Sequence, residues 1–221
     1  MSYVLSNAPS LHAAAPYTFF LPHPILIDAL RVGDLAKVIF EYDPPGETYE
    51  AERMWVEIKT IDDGRFAGIL ANRPSDPRAP LVHGESVEFT RDHIVDVQLN
   101  DPSSPDEYRE DKSRYPQIPA HREYWSRCLV DKCVLDDATP VEYLYREEPE
   151  AGEMDSYPDS GWRIRGRQGS ESDQGMEERP ATFVALGAVL NRDDSWIDLI
   201  DAPIGSAFMR NFQTNLYEPV G

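Results

Sequence analysis

Apolar and polar side chains alternate most regularly over residues 53–60. Met54, Val56 and Ile58 fall on one side and Trp55, Glu57 and Lys59 on the other, the period of a half-buried strand. Similar short runs flank it. A β-rich stretch spans residues 35–42 after the Gly33-Asp34 turn and is broken by Asp43-Pro44-Pro45-Gly46. Asp62-Asp63-Gly64 is a hairpin signal leading into residues 66–70. Strands at 86–90 and 93–99 complete a set of five, with turns tight enough to predict a curled sheet or an SH3-like barrel. Residues 24–30 form a short helix or strand before it, and residues 1–22 read as a partly ordered lead-in.

The pattern then lapses. Residues 101–122 carry Pro102, Pro105, Pro116 and Pro119 among many charges and little apolar material, which reads as a linker. From residue 123 the pattern resumes. Strands are expected at 127–132, 141–146 and 161–165, an acidic loop at 147–160 and a mobile polar loop at 166–180. Residues 185–192 place Leu186, Val189 and Leu190 on one helical face. A second short helix is expected at 196–200, capped by Asp194 or Ser195, and a last strand at 206–209. The predicted class is α+β: a small antiparallel β-domain over 23–100, and over 123–221 an antiparallel sheet with two short helices.

Charge narrows the functional classes. The 221 residues hold 21 basic and 40 acidic side chains, a net charge of −19. Such a surface repels phosphate backbones, so no nucleic-acid partner is expected. It favours a basic protein partner. The densest acid lies between Asp136 and Asp159, where nine carboxylates face Arg146 alone. No run of apolar residues approaches a membrane span, and the first 22 residues lack the positive start and cleavage site of a signal peptide. Cys128 and Cys133 are the only cysteines, and no disulfide framework follows from them. If 127–133 is a strand, their odd spacing puts the two thiols on opposite faces. Reduced, packed thiols in a cytoplasmic protein are the expectation.

Signals for chemistry are sparse. The five histidines show no His-Glu-x-x-His or Cys-x-x-Cys company, so neither a metal nor another cofactor is expected. Gly205-Ser206 lacks the second glycine of a nucleophile elbow, and a Cys128–His121 pair rests on residue type alone. The run Gly161–Arg167 has glycine and arginine but no Walker lysine. Its arginines 163, 165 and 167 share one strand face and are read as neutralising the acid of 147–159, the alternative being an anion or partner site. Glu147-Glu148 and Asp193-Asp194 are adjacent pairs, a poor arrangement for acid–base work on one atom. Trp162 reads as a buried indole with its N–H bonded, the alternative being a ligand or partner platform beside Arg163. Tyr145 and Arg146 carry the same two readings. No catalytic residue is assigned, and the chain is expected to be no enzyme.

Three blocks occur in order: Tyr145-Arg146-Glu147-Glu148-Pro149, Asp159-Ser160-Gly161-Trp162-Arg163 and Asp201-Ala202-Pro203-Ile204-Gly205-Ser206-Ala207-Phe208. Together they make residues 126–212 resemble a bacterial family grouped with immunity proteins of polymorphic toxin systems. That resemblance implies an α+β domain that binds and silences a toxin in the same cytoplasm. It makes Tyr145, Arg146, Glu147, Glu148, Asp159, Trp162, Arg163 and Asp201 the candidate partner- or ligand-binding residues. The alternative is a regulatory protein that binds a small molecule. Residues 33–98 have Met54-Trp55-Val56-Glu57, Gly68-Ile69-Leu70-Ala71-Asn72-Arg73-Pro74, and Val87-Glu88-Phe89 before Ile94-Val95-Asp96. They resemble a small bacterial β-domain family of unknown function.

Overall fold

The computed structural model describes residues 2–149 and 157–220. The chain forms two compact units, one of residues 2–14 and 19–121, the other of residues 15–18 and 122–220. Both are sheet-dominated with short helices, so the α+β class holds.

The first unit runs β1 (Ser2–Leu5), α1 (Ala8–Ala14), α2 (Pro24–Asp28), β2 (Leu35–Asp43), β3 (Ala51–Asp62), β4 (Arg65–Leu70), β5 (Ser86–Thr90) and β6 (Ile94–Gln98). The strands follow the path β6-β2-β3-β4-β5, and a 3-10 turn at Arg91–His93 carries β5 into β6. The sheet thereby curls into a nearly closed antiparallel barrel. Met54, Val56 and Ile58 point into it with Val38, Phe40 and Leu70, as the alternation requires. Asp63 and Gly64 both take positive φ in the β3–β4 turn, the geometry an Asp-Gly hairpin favours. Asp76 accepts the backbone N–H groups of Thr48 and Tyr49 and so ties the β4–β5 loop to the β2–β3 loop.

Two stretches are more ordered than their composition implies. In the lead-in, β1 pairs with the far end of β2, opposite Phe40 to Asp43, and Tyr3 packs edge-on against Phe40. An unfilled strand edge supplies the partner that so short a segment lacks alone. Residues 101–115 are also held. Asp34 is only 1% exposed, and Arg114 answers its charge with bonds of 2.6 and 2.8 Å. Tyr115 Oη accepts the Leu99 N–H. A buried carboxylate needs a partner, and the stretch expected to be a linker provides it.

The second unit runs β7 (Arg127–Asp131), α3 (Lys132–Asp136), β8 (Val141–Arg146), β9 (Asp159–Gly166), α4 (Asp173–Glu177), β10 (Ala181–Ala185), α5 (Leu186–Leu190), a 3-10 turn at Ile197–Leu199, β11 (Ala207–Asn211) and β12 (Leu216–Pro219). The sheet order is β10-β7-β9-β8-β11-β12. It departs from the expected all-antiparallel sheet in one place, because β7 and β9 are parallel. Cys128, Val130, Leu144, Trp162 and Ile164 face a core closed by Val134, Leu186, Val189, Leu190, Trp196 and Ile200.

Several boundaries shift. The strand from Arg127 ends at Asp131, so Cys133 lies on α3 rather than across a strand from Cys128. Residues 166–180 contain α4 and are pinned by Arg179, which reaches Asp131, Glu171 and the Gly166 carbonyl. Buried Asp131 draws both Arg165 and Arg179, which accounts for the order of a segment expected to be mobile. Part of the expected acidic loop, residues 150–156, lies outside the described residues.

Candidate functional site

The three sequence blocks meet at one end of the second sheet. Arg146, on β8, donates from Nε to the Ser160 carbonyl at 3.0 Å and from Nη1 to the Ala202 carbonyl at 2.7 Å. It therefore clamps the second and third blocks to the first. Its guanidinium also lies 5.8 Å from the Trp162 ring centre. Trp162 is fully buried, packs against Trp196 and donates from Nε1 to the Ile200 carbonyl at 3.2 Å. The Gly205 N–H donates to the Arg146 carbonyl, and the Arg146 N–H to the Ser206 carbonyl. Gly161 has φ +79°, and a Cβ there would run into the Glu147 carbonyl oxygen. Glycine is required because β8 and β9 approach so closely.

Arg163 points to the opposite face of β9. It bonds Asp159 at 3.0 and 2.9 Å and Glu147 at 2.5 Å, and is buried while Glu147 is half exposed. Hydrogen bonding to Asp159 raises its pKa, so it stays protonated. Tyr145 stands beside it, its phenol pushed up by burial and by Glu147. Asp201 is exposed and bonds Arg122 in bidentate fashion, which lowers its carboxyl. Glu148 is exposed just beyond β8. Of the eight candidates, then, Arg146 and Trp162 brace the fold. Tyr145, Glu147, Asp159 and Arg163 form a charge-compensated group on the outward sheet face. Asp201 and Glu148 stand at the surface apart from it.

Within this grouping Arg163 and Asp159 hold each other's charge in place, and burial keeps the Tyr145 phenol neutral. Cys128 is buried, and burial raises its thiol far from a reactive thiolate. His12 bonds the Phe19 carbonyl, His23 accepts from the Ile25 N–H and His93 accepts from the Thr90 N–H. Among the described residues no three His, Cys, Asp or Glu side chains gather to hold a metal. The Trp162 indole lies in the core and presents no surface platform. Among the described residues of the first unit, one open hollow of about 620 Å³ lies beside Phe19, Tyr42 and Arg53, and another of about 510 Å³ beside Asp34, Tyr108 and Arg114.

Reasoning from sequence passed over the outward positions of the sheet: Leu129, Tyr143, Phe183, Met209 and Leu216. Singly, each looks like a core residue. The signal that could have found them is alternation, since Cys128, Val130, Leu144 and Phe208 between them already fill the inward side.

The second unit is thus an α+β domain in which α3 and α5 close one sheet face, while α4 meets Arg165 on the other, where Leu129, Phe183, Met209 and Leu216 are exposed among the described residues. Residues 128–220 match the family model of the Immunity protein Imm33 domain, in agreement with the C-terminal resemblance. Neither a curated protein nor a solved structure matches the chain. The matched domain supports an immunity-like role in general, and no helix among the described residues is long and apolar enough to cross a membrane.

Proposed function

We propose that this protein is a cytoplasmic, immunity-like inhibitor that neutralises a toxin by binding it, without catalysis. The match of residues 128–220 to an immunity protein domain carries the reading. The net charge of −19 adds the character of the partner, which is basic. A surface that acidic accelerates encounter with a positive protein and disfavours neutral competitors.

The test is co-expression in a laboratory bacterial host. Each protein encoded beside this gene is expressed alone and then together with it. The expected result is that one neighbour is toxic alone and harmless in company, with a stable complex recovered. If no neighbour's toxicity is relieved, the reading fails.

A further inference from the structure

We propose that the outward face of the second unit's sheet is the surface that seats the toxin, through exposed apolar side chains on its outer strands, arginines and tyrosines between them, and acidic side chains at its margin. This rests on the immunity reading above.

Register places the side chains. Across one row run Phe183, Leu129, Arg163, Tyr145 and Ala207. In the next, Arg165 stands beside Tyr143, Met209 and Glu218. Leu216 extends the face along β12. An antiparallel sheet with one solvated face ordinarily alternates apolar-in and polar-out. Here the outward side leaves Phe183 47%, Met209 42%, Leu129 39% and Leu216 65% exposed, while the inward side is already filled by its own core. Six strands at about 4.8 Å spacing make the face about 24 Å wide. Large exposed apolar side chains on four of the six strands, flanking the arginines and tyrosines of β9 and β8, are the kind of surface that marks an interaction site. Tyrosine, phenylalanine, methionine and arginine are also the side chains that interface centres favour.

The charges on the face suit burial. Arg163 is already matched by Asp159 and Glu147, and Arg165 by Asp131. Covering them strands no unpaired charge, the usual obstacle to docking over arginine. Exposed acids at the margin, Glu147, Glu171 and Glu218, outnumber the exposed Arg167 at the end of β9. A partner that fits offers an apolar patch ringed by lysine or arginine. A second copy of this chain fits poorly, because it brings another net −19 against the first.

The experiment uses the full chain and the inactivated product of the toxin gene found by co-expression. Phe183→Glu and Met209→Glu alter exposed positions on the face. Val82→Glu makes the same charge change at an exposed site in the first unit. The expected result is that each face variant keeps its melting behaviour and weakens toxin binding by about 30-fold or more, while Val82→Glu binds as the parent does. Hydrogen exchange on the parent complex should show protection at residues 127–131, 143–145, 181–185 and 207–211, a readout that survives even if a variant misfolds. Neutralisation by the parent with unimpaired face variants, or protection elsewhere, overturns the surface and leaves the immunity reading standing. So does a parent dimer that the face variants dissolve without loss of neutralisation, which would make the face a self-contact. If the parent relieves no toxin, the immunity reading falls and this surface falls with it.

Discussion

Trp162 and Trp196 offer a controlled comparison. Both indoles are fully buried in the same core, with ring centres 5.9 Å apart. Replacing either by phenylalanine removes the same atoms, so the transfer and cavity costs of the two changes nearly cancel. The hydrogen bonds do not. Trp162 Nε1 satisfies the Ile200 carbonyl, whereas Trp196 Nε1 has no partner among the described residues. Trp162→Phe therefore leaves a buried acceptor unsatisfied, at about 1–3 kcal/mol, and Trp196→Phe deletes a donor that gains nothing. For a unit of about 100 residues, 1 kcal/mol moves the midpoint by about 4 °C or more, so Trp162→Phe should melt about 4–12 °C below Trp196→Phe. Scanning calorimetry on the full chain reads the second unit's transition without relying on tryptophan as a probe. A Trp196→Phe transition at or below that of Trp162→Phe would refute the reasoning. Trp162→Ala, which also empties the ring's space, should cost about 3–5 kcal/mol.

Gly161→Ala adds a Cβ against the Glu147 carbonyl at a positive φ, and should lower the second unit's stability by about 2–5 kcal/mol; a urea midpoint unchanged from the parent would show that β8 and β9 can part freely. Asp76 gives the first unit an acid-sensitive loop: burial opposes its charge, but the backbone N–H groups of Thr48, Arg78 and Tyr49 prevail and hold it at about 2. Because its folded value lies below an unfolded value of about 3.9, the stability it contributes is complete above about pH 4 and is lost as pH falls toward 2. The melting difference between the parent and Asp76→Asn should shrink across that window, and a constant difference would contradict it. Association with the toxin should slow as salt rises, since the screening length falls from about 30 Å at about 0.01 M to about 8 Å at about 0.15 M. Stopped-flow on-rates that ignore salt would argue against a basic partner.

What the sequence made legible was local. The Met54–Ile58 alternation and the Asp62–Gly64 turn set β3 and β4 because period and turn chemistry are properties of neighbouring residues. The Leu186, Val189, Leu190 stripe located α5 for the same reason. What escaped was held by distant partners. β1 exists because β2 has an edge for it, and β12 because β11 does. The parallel β7–β9 pairing joins residues more than thirty apart, and no periodicity within either strand announces it. The arginines show the same divide. Arg163 does neutralise Glu147 and Asp159, as the acid of 147–159 implied. Arg165 instead serves Asp131, and Arg167 lies over Phe212, because β9 ends at Gly166. Block order brought the candidate residues together on paper, but which of them faced inward depended on a register that only pairing fixes.

That register separates two duties within the same blocks. Arg146, Gly161 and Trp162 fix how β8, β9 and the turn before β11 cross, Gly161 and Trp162 from buried positions that a partner cannot reach and Arg146 from a half-buried one. Leu129, Phe183 and Met209 spend little on the fold, so they are free to set the affinity for whatever covers them. Glu147 stands at the junction. It is half exposed on the rim yet compensates Arg163. A lysine or arginine arriving there would share the Glu147 carboxylate. Arg163 would not be stranded, because Asp159, whose side chain is nearly inaccessible, keeps both of its own bonds to the guanidinium. Asp159 therefore lets a basic partner bind at the rim without dismantling the buried pair beneath it, and it makes Glu147 the rim acid whose removal should weaken docking while leaving the charge of the arginine compensated.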